Sequence, residues 1–132
     1  MFDAAPADAM DADELARRYI DELRAEIRGT TDIADAVVAS IENDEIGDVT
    51  LEAAAQILAA DADHLDADAI NAEFLDGILI EMSNAVVDVD TLAAEIELDR
   101  SGKGLQQRIE GRAPMTLREY AAIRHAIAIR QN

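Results

Sequence analysis

Residues 105–127 read LQQRIEGRAPMTLREYAAIRHAI and contain two amphipathic stretches separated by a short loop. In the first stretch, Leu105 and Ile109 are four residues apart, so both can face a core from one side of a helix. A second helix is predicted to begin at Thr116, because Thr116 and Glu119 form a capping box in which hydroxyl and carboxylate bind each other's free backbone amides. The stretch therefore predicts two helices joined by a short link.

The same spacing of apolar residues recurs through the preceding 100 residues. The most regular row lies between residues 70 and 82 and consists of Ile70, Phe74, Leu75, Ile78, Leu79 and Met82. Further helices are predicted over residues 13–28, 33–41, 51–58 and 91–97. Thr50 and Asp90 are the expected N-caps of the last two, and residues 85–89 (AVVDV) are interpreted as a buried connection. No segment alternates long enough to require a strand, so the predicted fold class is all-α, a multi-helix bundle.

The amino-acid composition also favours close-packed helices. Half of the 132 residues are hydrophobic but only 3% are aromatic, so the core must be built mainly from aliphatic side chains. Cysteine is absent, which excludes disulfides, thiolate metal sites and cysteine nucleophiles. No apolar run reaches the roughly 18 residues that a membrane span needs, and the acidic N-terminus lacks the basic region of a secretory signal. We therefore expect a cytoplasmic protein with no membrane partner.

Charge is distributed unevenly along the chain, whose formal net charge is −18. Residues 1–99 carry 27 acidic residues and four arginines, a balance of −23, whereas residues 100–132 carry two acidic and seven basic residues, a balance of +5. Because nucleic-acid phosphates repel a polyanion, the first region argues against nucleic-acid binding and the second favours it. The acidic excess is also typical of surfaces that keep a protein soluble or suit a high-salt cytoplasm.

The C-terminal part of the chain resembles the helix-turn-helix domain of the phage-repressor (Cro/C1, or XRE) family. Residues 91–101 (TLAAEIELDRS) are similar to the first helix and turn of that motif, and residues 105–127 are similar to its second half and last helix. The matching positions are Leu92, Ala93, Ile96, Leu105, Ile109, Gly111, Arg112, Pro114, Thr116 and Leu117. The resemblance extends over residues 74–127 and implies a C-terminal helix-turn-helix domain of repressor type.

The resemblance implies that the helix around residues 101–110 enters the major groove of double-stranded DNA. The residues expected to touch bases are Lys103, Gln106 and Gln107, with Arg108 as a further candidate. Those expected to touch phosphates are Arg100, Ser101, Lys103 and Arg112. The residue types themselves support this interpretation, because glutamine and arginine carry paired donors and acceptors that read adenine and guanine edges.

Other patterns in the chain fit metal or catalytic sites less well. Residues 99–110 have the length of an EF-hand calcium loop, but Lys103 stands where an oxygen ligand belongs. The acidic run of residues 61–68 lacks the required glycine and is interpreted as a solvated turn. His64 and His125 lack metal-ligand spacing, and His125 is interpreted as a surface or dimer-contact residue. We therefore expect no metal, no cofactor and no enzymatic activity.

These observations divide the chain into three parts. Residues 1–12 are expected to be a disordered acidic N-terminus, residues 13–65 an acidic helical extension for dimerisation or partner binding, and residues 66–132 the helix-turn-helix domain. The chain is interpreted as a repressor-like transcriptional regulator that binds DNA as a homodimer. The alternative, suggested by the acidic charge, is a protein–protein interaction module (antitoxin-like, adaptor or DNA mimic) that binds a basic partner and not DNA.

Overall fold

A computed structural model describes residues 11–28, 35–43, 49–61, 66–96 and 102–131. These residues form seven α-helices: α1 (Ala12–Arg28), α2 (Asp35–Glu42), α3 (Leu51–Asp61), α4 (Ala67–Ala85), α5 (Val89–Glu95), α6 (Gly102–Ile109) and α7 (Leu117–Gln131). Within these ranges there is no strand, only an isolated antiparallel bridge between Thr50 and Thr116. The prediction of an all-α fold is thereby confirmed. No helix in the described part of the chain is long and apolar enough to cross a bilayer.

Short polar side chains fix where the helices begin. Thr50 Oγ1 accepts a 3.2 Å hydrogen bond from the amide of Ala53, so its predicted capping role is confirmed. The N-cap of α5 is Asp88 and not Asp90, which corrects the sequence prediction. Asp88 has extended backbone and accepts a 2.8 Å bond from the amide of Thr91, and this bond lowers the pKa of its carboxyl group. Asp90 lies in the first turn of α5 instead.

All seven helices contribute side chains to one hydrophobic core. α7 packs against α1, α4 and α5, and α3 packs against α4 and α1. Five apolar residues of α7 are buried in this core: Leu117, Tyr120, Ala121, Ile123 and Ile127. Helices on both sides of residue 65 share this core, so the division predicted there does not coincide with a break in packing.

Backbone hydrogen bonds join the start of α3 to the start of α7. The amide of Leu51 donates to the carbonyl of Met115 at 2.9 Å, and the amide of Leu117 donates to the carbonyl of Val49 at 2.7 Å. These bonds satisfy backbone groups that would otherwise have no partner at the ends of helices. They fix the N-termini of α3 and α7 relative to each other. α7 is thereby held in a defined position for the helices that pack against it.

The helices α5 and α6 pack against each other, with α5 also on α7 and α6 also on α4. Leu92 from α5 is buried, and the carboxylate of Glu95 at the end of α5 is held by Arg130 of α7. The two helices are consecutive along the chain and contact each other. That they form a domain of repressor type stays a prediction.

The second half of α4 and the residues after it are more exposed than the sequence predicts. The buried residues of α4 are spaced by four: Ile70, Phe74, Ile78 and Met82. Leu79 was expected in the same row, but it lies off it and is 47% exposed. Val86 is 89% exposed, because it takes the left-handed conformation (φ 54°) that ends α4 and turns its side chain outward. The predicted buried connection over residues 85–89 is confirmed only in part: Ala85, Val87 and Val89 are partly buried against the core, whereas Val86 and Asp88 are exposed.

Candidate nucleic-acid interface

α6 presents an apolar face to the core and a polar face to the surface. Leu105 and Ile109 are both 2% exposed, which confirms the inward orientation predicted from their spacing. α6 ends at Ile109, and Gly111 follows with φ at 81°, a conformation that glycine adopts without strain. The polar side chains of this helix therefore lie beside or opposite its buried face.

Four of the predicted DNA-binding residues lie on this accessible side of α6 or just beyond it. Lys103 and Gln106 are exposed, Gln107 is half-buried, and Arg112 is exposed after the end of the helix. Glu110 contacts two of them: Gln106 Nε2 donates to its Oε1 at 2.9 Å, and Arg112 Nε lies 3.3 Å from its Oε2. Because exposed pairs of this kind contribute little stability, a phosphate or a base edge can replace the carboxylate as their partner.

Arg108 differs from its neighbours on α6 because its side chain turns inward and is only 17% exposed. Its Nε lies 3.2 Å from Oε2 of Glu119 on α7, and its Nη1 donates a 2.9 Å hydrogen bond to the carbonyl of Gly104. This placement does not favour the predicted base contact, since the guanidinium would have to leave Glu119. Arg100 and Ser101, the remaining predicted contacts, lie outside the described residues.

Glu119 joins the candidate recognition helix to the start of α7. Its Oε1 accepts hydrogen bonds from the Thr116 amide at 3.1 Å and from Thr116 Oγ1 at 3.2 Å, while the Glu119 amide donates to Thr116 Oγ1 at 3.1 Å. The predicted capping box is therefore confirmed. The sequence did not indicate that the second carboxylate oxygen of Glu119 would bind Arg108, because that contact depends on how α6 and α7 are brought together.

An acidic side chain lies against the N-terminus of α6. A Cβ atom on Gly102 would overlap Oδ1 of Asp90 and would lie 3.4 Å from its Cγ, so the absence of a side chain at Gly102 allows this close approach. The N-terminus of a helix attracts anions through its free amides and its dipole. Asp90 thus stands where a DNA phosphate would otherwise be favoured. This contact was not predicted, because Asp90 was interpreted as a helix cap.

A second buried polar cluster lies between α1, α4 and α7, away from α6. The Arg124 side chain is 7% exposed; its Nη1 donates to the Tyr19 hydroxyl at 2.8 Å and its Nη2 donates to Glu81 Oε1 at 3.1 Å. Its Cζ lies 5.4 Å from the ring centroid of Tyr120 and 5.9 Å from that of Tyr19. Burial raises the pKa values of both tyrosines, against the opposing effect of the nearby guanidinium.

The sequence contained a signal for this cluster that was not used. Arg124 stands four residues after Tyr120 and three before Ile127, inside the apolar row of α7. An arginine in such a row can be buried only if it finds hydrogen-bond partners, and the tyrosine hydroxyl supplies one. The cluster is best explained as part of the core, because its groups are already paired with one another.

A cavity of about 520 Å³ lies between α1, α5 and α7. Its lining includes Asp13, Glu95 and Arg118, of which Asp13 and Arg118 pair at 3.8 Å. His125, which was expected at the surface or in a dimer contact, is half-buried and also lines this cavity; its Nδ1 is buried and has no hydrogen-bond partner. Within the described ranges, no group of three or more histidine or acidic side chains could hold a metal ion.

The sequence pattern of a family of unknown function, DUF5791, matches residues 12–130. The chain therefore belongs to that family, and the match includes all of α1 to α6 and nearly all of α7. No curated protein and no solved structure is significantly similar to the chain.

Proposed function

We propose that the protein is a DNA-binding transcriptional regulator, repressor-like in type, which reads the major groove with α6. The observation that carries this proposal is the division of α6 into a buried face and a surface bearing lysine and glutamine. Leu105 and Ile109 anchor the helix, while Lys103, Gln106 and Gln107 remain accessible to a ligand. The region that contains them, residues 100–132, has a balance of +5 in an otherwise acidic chain.

The dimensions and chemistry of α6 suit the major groove. An α-helix with its side chains is about 10–12 Å across, which matches the major-groove width of about 12 Å. A glutamine amide can donate and accept at once, as needed for the N6 and N7 atoms of adenine. Gln106 and Gln107 are therefore assigned to base reading, and Lys103 and Arg112 to phosphates.

The rest of the chain opposes DNA binding electrostatically and thereby shapes how it must occur. A balance of −23 over residues 1–99 repels phosphates, and dissolved ions screen such repulsion over about 10 Å at 0.1 M salt. Contacts made by α6 are much shorter than this distance. We therefore propose that binding is weak and depends on close contacts at α6.

A homodimer is part of the proposal, because most helix-turn-helix proteins bind two half-sites about 34 Å apart. The acidic N-terminal helices are the proposed surface for the second copy or for a protein partner. A cytoplasmic location is also part of the proposal. The operator sequence should then be a palindrome or a near-palindrome.

The decisive experiment is selection of duplexes from a random library, followed by fluorescence anisotropy with the selected duplex at several salt concentrations. Gln107→Ala should relax the sequence preference. Lys103→Ala should weaken binding to every duplex and reduce the slope of log affinity against log salt by about 0.9, the value expected for one lost phosphate contact.

Two matched variants control for effects away from α6. Gln56→Ala removes an exposed glutamine from α3, and Arg17→Ala removes an exposed positive charge from α1. Neither should alter sequence preference or salt slope. Equal binding by the wild type, Lys103→Ala and Gln107→Ala to selected and unselected duplexes would refute the proposed function.

The acidity of residues 1–99 favours a second candidate, a protein–protein interaction module that binds a basic partner and not DNA. This module would use the exposed acids of the N-terminal helices, such as Asp21 and Glu52. A charge-matched test distinguishes the two candidates. Poly-lysine peptide binding should weaken in an Asp21→Asn, Glu52→Gln variant if the acidic surface is the site, whereas Lys103→Ala should leave it unchanged.

A further inference from the structure

We infer that Arg108 positions α6 through Glu119 and does not itself contact DNA. This inference rests on the proposed function of α6, but it also makes a claim about the free protein that needs no DNA. The observation that carries it is a largely buried ion pair between the candidate recognition helix and the following helix. The Arg108 and Glu119 side chains are 17% and 6% exposed, with Nε and Oε2 3.2 Å apart.

Glu119 is well suited to serve as the fixed end of this link. One carboxylate oxygen, Oε1, is held by the amide and hydroxyl of Thr116, and the other, Oε2, faces Arg108. Thr116 in turn lies in the bridge with Thr50 that joins α7 to α3. The position of the carboxylate is therefore set by the backbone of two helices rather than by side-chain packing alone.

Arg108 is equally well placed to transmit that position to α6. Its Nη1 donates to the carbonyl of Gly104, one turn earlier in the same helix, so the guanidinium is tied to the α6 backbone as well as to Glu119. Gln107 precedes Arg108 directly, and successive residues of an α-helix are offset by a fixed angle. The ion pair therefore limits the rotation of α6 about its axis and so fixes the direction in which Gln107 faces.

A direct contact between Arg108 and DNA would require the ion pair to break. Glu119 would then remain as a buried carboxylate without this cationic partner, which is unfavourable. It would also lie near the incoming phosphates and repel them. Lys103 and Arg112 are exposed and can reach phosphates without this loss.

The test uses Arg108→Met and Glu119→Gln, with Arg17→Met and Glu14→Gln as controls. Met keeps the length of the arginine stem without its charge. In Glu119→Gln the new amide oxygen would still accept from Thr116, because glutamine serves in a capping box as glutamate does. This substitution therefore mainly removes the charge that faces Arg108. Glu14 is an exposed acid in the first turn of α1 and provides the matched control.

The first measurement is affinity for the selected duplex and for a scrambled duplex over a range of salt. If Arg108 positions α6, both variants should lower the ratio of the two affinities by about fivefold or more and leave the salt slope unchanged. If Arg108 binds a phosphate, Arg108→Met should flatten the slope by about 0.9 for both duplexes. If the pair serves only stability, both duplexes should be affected equally. Either of the last two results overturns the inference.

Glu119→Gln distinguishes positioning from electrostatics most clearly, because the two explanations predict opposite changes in binding to the selected duplex. The substitution removes a negative charge from the DNA-binding part of the chain, so electrostatics alone predicts tighter binding to every duplex. Positioning predicts a weaker preference for the selected duplex in spite of that gain. Glu14→Gln also removes a negative charge and should leave the preference unchanged.

The second measurement is amide hydrogen exchange of the free protein, which separates this inference from the proposed function. In both variants the amides of α6 should exchange about tenfold faster, while those of α1 keep wild-type rates. Unchanged exchange in α6 would overturn the inference even if DNA binding is real. If the wild type binds no duplex selectively, the proposed function fails, and accelerated exchange would still support the structural role of the pair.

Discussion

Arg124 on α7 and Arg108 on α6 both turn inward, and they are used differently. Arg124 of α7 lies beside two tyrosine rings in the core, where its nitrogens donate hydrogen bonds to Tyr19 and Glu81. Arg108 of α6 lies at the edge of the core, where it pairs with Glu119. Arg124 joins α7 to α1 and α4, which are distant from it in the sequence. Arg108 joins the short helix α6 to the start of α7.

The regions around Arg124 and Arg108 therefore differ in what they can do. The groups around Arg124 are enclosed and satisfied by one another, so this region stabilises the fold and offers little to a ligand. The region around Arg108 hides one cation and leaves Lys103, Gln106 and Arg112 accessible. A helix whose inward side is fixed by the core and whose polar side is accessible has the arrangement that recognition of a ligand needs.

The largest expected effect is on stability, when each arginine is replaced in turn. Arg124→Met should lower the free energy of unfolding by about 3 kcal/mol, because it leaves a buried hydroxyl without its partner and removes the charge that holds Glu81. Arg108→Met should cost less, about 1 to 2 kcal/mol, because Glu119 keeps its bonds to Thr116 at the N-terminus of α7. Urea unfolding at fixed salt measures both values.

Arg17→Met controls for the loss of one positive charge and should change stability by less than about 0.5 kcal/mol, since Arg17 is exposed. The contrast between the two regions would be broken if Arg108→Met proved as costly as Arg124→Met. That result would mean that α6 is part of the central core in energetic terms.

The contrast between these arginines also shows what the sequence could predict. Local patterns predicted the all-α fold, the capping box of Thr116 and Glu119, and the inward faces of Leu105 and Ile109, because helix periodicity and capping depend on nearby residues. The partners of Arg124 and Arg108 were not predicted. Tyr19 lies 105 residues from Arg124 along the chain, and such pairs are decided by how helices pack. The exposure of Val86 was also missed, because a left-handed valine is uncommon.

A smaller effect on the free energy of unfolding, arising from the region around Arg124, should appear at alkaline pH. Burial raises the pKa of Tyr19 above the ordinary value near 10, so the folded protein keeps this proton when the unfolded chain has lost it. The stabilisation is complete below pH 10 and declines as the pH rises further, by about 1.4 kcal/mol per pH unit for one tyrosine. Urea unfolding between pH 9 and pH 11 measures the decline.

Tyr19→Phe provides the comparison for this titration. The variant should be less stable at pH 8, because Arg124 loses a hydrogen-bond partner, but its stability should decline less steeply above pH 10. Parallel decline in wild type and variant would show that Tyr19 does not titrate with the unfolding of the core.

The smallest expected effect concerns the front of α6, where Asp90 approaches Gly102. Asp90→Asn should tighten DNA binding by about two- to threefold, because it removes an anion from the helix end that a phosphate would otherwise approach. Asp76→Asn on α4 removes the same charge from another exposed site. If both substitutions tighten binding equally, only net charge matters. If Asp90→Asn alone does so, the N-terminus of α6 lies at the DNA and the accessible region is larger than its basic residues indicate.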